Sequence, residues 1–165
     1  MSDSGILGVP TQSPDTRKYW QLVRGGAPER HLYLVFLGLR KFDTARLLER
    51  LNDGLSFASF DRFRQNIALS QEELATLVQI SPRTLARRKA QKKLETDESD
   101  RLVRLSRVFG KTVDLFEGDD TAARRWLSRP QPGLGGKKPL DLLNSEVGAR
   151  EVEALIERLE HGVFV

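Results

Sequence analysis

Residues 70–93, SQEELATLVQISPRTLARRKAQKK, constrain the fold more than any other part of this chain. Ser70 with Glu73 three positions later forms a capping-box pair that starts one helix. Ser81 followed by Pro82 is an N-cap with proline at the first helical position, and starts a second. The first helix carries Leu74, Leu77 and Ile80 for packing, with Ala75 where a neighbouring helix must approach closely, and Leu85 pins the second helix to it. Two short helices joined by a tight turn, the second of them cationic, are the parts of a helix-turn-helix. The position in the turn that glycine commonly holds is Gln79, so a residue with a β-carbon is expected to adopt the left-handed conformation there, at about 1 kcal/mol.

Charge supports the same reading. Residues 82–93 hold Arg83, Arg87, Arg88, Lys89, Lys92 and Lys93 with no acid, whereas the whole chain carries only +4 and the remainder is therefore net negative. Positive charge concentrated on one element points to a polyanion contact at that element. On an ideal helix Arg83, Thr84, Arg87, Arg88 and Gln91 fall within about 140° of one another, with Leu85, Ala86 and Ala90 on the other side. Guanidinium and amide groups on such a face hydrogen-bond base edges and phosphates in a major groove. The expected DNA contacts are Arg83, Arg87 and Arg88, then Thr84 and Gln91, with Gln71 and Ser81 at helix N-termini where backbone amides favour phosphate. One such unit spans one half-site, so a homodimer is expected.

The rest of the chain sorts around this unit. Residues 1–28 mix Gly, Pro, Ser and Asp with little periodicity and are expected to be mostly disordered. The apolar run HLYLVFLGL, from His31, suits either a buried strand or a short helix, and serves as core or as a dimer contact within a segment 29–54. Asp43 caps a helix through Leu47, Leu48 and Leu51 that ends near Gly54. Ser56 opens another, with Phe57, Phe60, Phe63 and Ile67 on one face. Thr96 caps a third, with Leu102, Leu105, Val108 and Phe109 as its buried stripe. Beyond these come a helix around Ala122–Leu127, a Pro/Gly loop, a short helix begun by Pro139, and a last helix from about Glu146 to Glu160. Strand-period alternation is nowhere sustained, so the expected fold is all-α, with a helix-turn-helix domain over 55–110 and a small helical domain over 111–165.

Several functions are disfavoured by composition. The chain has no cysteine and two histidines, which removes disulfides and thiol nucleophiles and disfavours a transition-metal site. It shows no helix-spaced His pair and no phosphate-loop pattern, and PGLGG is too short for a dinucleotide fingerprint. Neither an enzyme nor a cofactor is expected. No apolar run is long enough for a membrane span and no secretory signal is present, so a cytoplasmic location is expected.

The motifs Arg83-Thr-Leu-x-Arg-Arg88, Glu98-Ser-x-Arg101, Trp126-Leu-x-x-Pro130, Leu134-Gly-Gly-x-x-Pro-Leu140 and the late Gly162 occur in order. Over residues 43–165 the chain thereby resembles the Xre-type antitoxins of RES-Xre toxin–antitoxin pairs, the family with the MbcA/ParS/Xre toxin-binding C-terminal domain. The resemblance implies a Cro-like DNA-binding module that represses its own operon, and a C-terminal module that inhibits a RES-domain toxin. Such toxins resemble ADP-ribosyltransferases and consume NAD⁺. On this account Trp126, Leu140, Leu142, Leu143, Val152, Leu155, Ile156 and Leu159 pack the second module. Lys137, Lys138, Arg150, Arg158, Gly162 and the apolar residues Val163, Phe164 and Val165 meet the toxin, the last three filling its nucleotide cleft. The competing reading of those three is that they fold back on the chain's own core. A plain transcriptional regulator, whose second module dimerises or senses a ligand, is the alternative for the whole molecule.

Overall fold

The computed structural model describes residues 12–162. Its elements are α1 (Pro14–Arg24), a 3-10 turn (Leu32–Leu37), α2 (Thr44–Asp53), α3 (Phe57–Ile67), α4 (Gln71–Leu77), α5 (Pro82–Gln91), α6 (Thr96–Leu115), α7 (Asp120–Leu127), a second 3-10 turn (Pro132–Leu134), α8 (Pro139–Leu142) and α9 (Glu146–Glu160). Among the described residues the only extended pairings are two isolated antiparallel bridges, Ser56 with Lys93 and Gln131 with Lys137. The fold is all-α. No described helix is long and apolar enough to cross a membrane.

The starts of these helices follow their side chains. Asp43, Ser56, Ser70 and Ser81 each accept a backbone N–H in the first turn of the helix they precede. The expected cap at Thr96 shifts by one residue. Glu95 is the cap, and its own N–H donates to the Glu98 carboxylate at 2.8 Å. The run after His31 is neither strand nor α-helix but a 3-10 turn closed by Gly38 at φ 78°. Leu34, Val35, Phe36 and Leu37 are between 0 and 2% exposed, so they lie inside their own chain and are not a dimer contact.

The first 3-10 turn, α2, α3, α7 and α9 all pack on α6. Its stripe of Leu102, Leu105, Val108, Phe109 and Val113 is sealed from solvent, with Phe36 and Phe63 meeting Phe109 edge to face. Fully burying side chains of this size contributes about 1.5–3 kcal/mol each. Because α6 runs on to Leu115, the division expected at 110/111 falls inside one continuous helix.

The expectation of disorder before residue 29 fails for α1. Ser13 caps this helix, Pro14 takes its first position, and Tyr19 is 5% exposed with its ring 4.8 Å from that of Phe36. Asp15 is buried and received by Arg62 through two hydrogen bonds of 2.8 and 2.6 Å, and by the Asn66 amide at 2.9 Å. Burial alone would raise the Asp15 carboxyl, but these partners outweigh it and hold it below its ordinary range. The physical reason for the miss is that α1 is anchored mainly by polar groups, which a search for apolar periodicity does not register.

Candidate DNA-reading helix and partner-binding module

The turn between α4 and α5 has the strained geometry its sequence demands. Gln79 sits at φ +60°, and the Ile80 N–H returns to the Ala75 carbonyl at 2.8 Å to close the reversal. Beyond it the Ser81 hydroxyl accepts from the Thr84 N–H at 3.2 Å. That start fixes which side of α5 faces out.

Arg83, Arg87 and Gln91 lie exposed on α5 and Ser81 is exposed at its start, while Thr84 is half-buried and bonded to the Ser81 hydroxyl at 3.0 Å. Gln71 is half-buried at the start of α4, where its amide nitrogen donates to Asp61 at 3.1 Å.

Arg88 departs from the expectation. It is 8% exposed, and its Nε and Nη2 donate to the two carboxylate oxygens of Glu98 at 2.7 and 3.0 Å. Glu98 is itself buried and also caps α6, so this pair fastens the recognition helix to the core and Arg88 does not reach DNA. The reason is rotational: Arg88 lies one turn beyond Leu85, the other buried residue of α5, at the edge of the cationic sector nearest the core. Correspondingly Ala86 and Ala90, expected on the inner side, are exposed beside Arg83 and Arg87. Their methyl groups leave that side of α5 low and apolar. The single signal that would have placed them is the Glu98 partner for Arg88, which is a long-range contact.

The second module is built by α7, the loop after it, α8 and α9. Leu127, Leu143, Val152, Leu155 and Ile156 are buried, and Trp126, Leu134, Leu140 and Leu142 are partly buried against them. Gly135 and Gly136, at φ 65° and 81°, reverse the chain so that Gln131 N–H donates to the Lys137 carbonyl at 3.0 Å. This presents Lys137 and Lys138 exposed. Arg150 is exposed but engaged, donating to Glu146 at 2.8 Å, and the Arg150 hydrogen bond is the main cause holding the Glu146 carboxyl below its ordinary range. Arg158 is half-buried, and Gly162 is exposed at φ 73°. Val163, Phe164 and Val165 lie outside the described residues.

The two modules are fastened together. Glu153 of α9 is 8% exposed and accepts from Arg107 at 2.9 and 3.0 Å and from Lys111 at 2.9 Å, all on α6. Burial pushes the Glu153 carboxyl up, but those donors outweigh it and leave it below its ordinary range. Arg104 pairs with Glu146 at 3.5 Å. The side-chain amide of Gln79, in the turn of the DNA-reading motif, donates to the Asn144 carbonyl at the start of α9.

Such a molecule is a helix-turn-helix DNA-binding protein with a second helical module docked on its longest helix. Known proteins sharpen the class. Residues 46–107 match the antitoxin Xre-like helix-turn-helix domain, and residues 111–162 match the antitoxin Xre/MbcA/ParS C-terminal toxin-binding domain. The chain is 34% identical over 156 residues to an Antitoxin Xre of Yersinia enterocolitica, covering 94% of this chain and 96% of that one. It is 38% identical over 114 residues to an Antitoxin Xre of Photorhabdus laumondii, covering 68% and 77% of the two chains. A Prs ADP-ribosylating antitoxin of a Sphingobium species is 26% identical over 123 residues, 69% and 77% of the two. The chain belongs to the Xre antitoxin family, and carries its DNA-binding and toxin-binding domains in that order.

Proposed function

We propose that this protein neutralises a RES-domain, NAD-consuming toxin by covering its active-site cleft with the C-terminal region, and as a homodimer represses its own operon in the cytoplasm through α5. The observation that carries this reading is the nearly full-length match to an Antitoxin Xre, which spans both modules in one alignment. The name of the Sphingobium relative adds support, because ADP-ribosyl transfer draws on NAD⁺. The protein acts by occupation and turns over no substrate itself.

Each part has residues to serve it. Arg83 and Arg87 supply the groove contacts, aided by Thr84, Gln91 and the helix starts at Gln71 and Ser81. On the toxin side Lys137, Lys138, Arg150 and Arg158 offer cations to acidic groups around the cleft. Gly162, exposed after the last turn of α9, immediately precedes Val163, Phe164 and Val165, the apolar residues this reading assigns to the cleft. Burying those three side chains in the toxin's nucleotide site contributes about 1.5–3 kcal/mol apiece.

The test is co-expression of the cognate toxin with the full chain, or with one lacking residues 163–165, while cellular NAD⁺ is followed. The full chain preserves NAD⁺. The shortened chain folds, binds operator DNA and fails to protect; undiminished protection by it would remove these residues from the toxin contact.

A further inference from the structure

A groove of about 540 Å³ opens between α2, the 3-10 turn at Leu32–Leu37 and the start of α3. Its charged lining is five cations, Arg40, Lys41, Arg46, Arg50 and Arg62, with two acids, Glu49 and Asp53. Arg62 is committed to Asp15 and Arg46 lies 4.0 Å from Glu49. Arg40, Lys41 and Arg50 are exposed, and among the described residues none of them is within 4.0 Å of a carboxylate in an ion pair. Three free cations along one groove form an anion-binding surface.

The position of the groove says which anion. At the end of α5 the chain turns back and pairs with the segment before α3: the Phe57 N–H donates to the Lys92 carbonyl at 3.1 Å, and the Leu94 N–H to the Leu55 carbonyl at 2.8 Å. Ser56, bridged to Lys93, lines the groove. Lys92 and Lys93 thus lead from the cationic face of α5 toward Arg50, Lys41 and Arg40, with Asp53 the acid between Lys93 and the groove. The acids Glu95, Asp97 and Asp100 instead gather beside Leu48 and Leu51, on the other flank of α2, where they repel a phosphate backbone. The toxin-binding module meets α5 at the opposite end, through Gln79 and Asn144.

The geometry points to this groove as a second DNA surface, in which Arg40, Lys41 and Arg50 hold the phosphate backbone flanking the half-site read by α5. This rests on α5 being the DNA-reading helix. Contacts of this kind carry no base preference, so they strengthen binding to any duplex and add to its salt dependence.

The experiment measures dissociation constants from about 50 to 300 mM salt for a duplex from immediately upstream of the protein's own gene and for a random-sequence 40-base-pair duplex. The variant R40A/K41A/R50A, whose circular dichroism and melting are checked first, is compared with R83A/R87A. Losing three phosphate contacts makes the slope of log K against log salt shallower by about 2 to 3 and weakens binding on the order of 100-fold near physiological salt, on both duplexes. R83A/R87A loses the preference for the upstream duplex instead. If R83A/R87A weakens binding while the groove variant keeps the parental slope and affinity, the groove assignment is overturned and the reading of α5 stands. If the parent binds neither duplex, both fall together. A groove variant that keeps DNA binding but no longer captures the toxin overturns the assignment in favour of a protein contact.

Discussion

Asp114 shows how single residues on α6 set the pH response. Its carboxylate receives the Tyr19 hydroxyl at 3.0 Å, yet burial, with a smaller push from Glu160, raises it from 3.8 to about 6. A carboxyl raised in the folded state adds stability that is complete below its unfolded value and is lost as pH climbs through the folded one. Glu153 has the opposite sign: its lowered carboxyl adds stability above its unfolded value, which is lost as pH falls below it. D114N therefore gains about 1–3 kcal/mol over the parent at pH 8 and little at pH 4, read as the difference between urea unfolding curves. A constant difference across that range would mean that Asp114 keeps an ordinary carboxyl.

At the scale of elements, the join between α5 and α6 is the part most easily misjudged. R88A leaves the buried Glu98 carboxylate without its partner and is expected to cost about 3–5 kcal/mol, seen as a fall in the unfolding midpoint, whereas R83A and R87A leave it within about 0.5 kcal/mol. Loss of DNA binding by R88A then reflects the fold and not a missing groove contact. The elements themselves were largely legible. Asp43, Ser56, Ser70 and Ser81 mark helix starts through hydrogen bonds closed within three residues, Pro82 does so through its fixed φ, and Gln79 announced its left-handed turn by the absence of glycine. What was not legible depends on contacts between distant positions. The Arg88–Glu98 pair crosses from one helix to the next, and the Asp15–Arg62–Asn66 cluster links α1 to α3, so neither leaves a local periodicity to read. HLYLVFLGL was ambiguous for another reason: a run apolar on every side carries no period, and only packing on Phe109 settles it as a 3-10 turn.

For the whole molecule the lesson of α1 is that the amino-terminal helix belongs to the fold. Gln12 donates to the Gly118 carbonyl at 2.7 Å, the Ser13 N–H to Asp120 at 2.9 Å, and Tyr19 packs under α6, so α1 ties the second half of α3 to the join of α6 and α7. Deleting residues 1–24 is expected to lower the unfolding free energy by about 3 kcal/mol or more, because a buried tyrosine is lost and Arg62 and Asn66 lose their acid. Denaturant melts followed by tryptophan emission at Trp126 measure this, and an unchanged midpoint would return the segment to the status of a dispensable leader.

Since α6 passes unbroken from one module to the other, the spacing of the two binding faces behaves as a ruler and not as a tether. At about 1.5 Å and 100° per residue, one residue inserted in its middle would swing the toxin-facing side about a quarter turn around the DNA-facing one. If the protein binds its operator as the proposed homodimer, captured toxin stands at a fixed azimuth about the double helix, and the phase between neighbouring operator sites decides whether two loaded dimers can sit side by side.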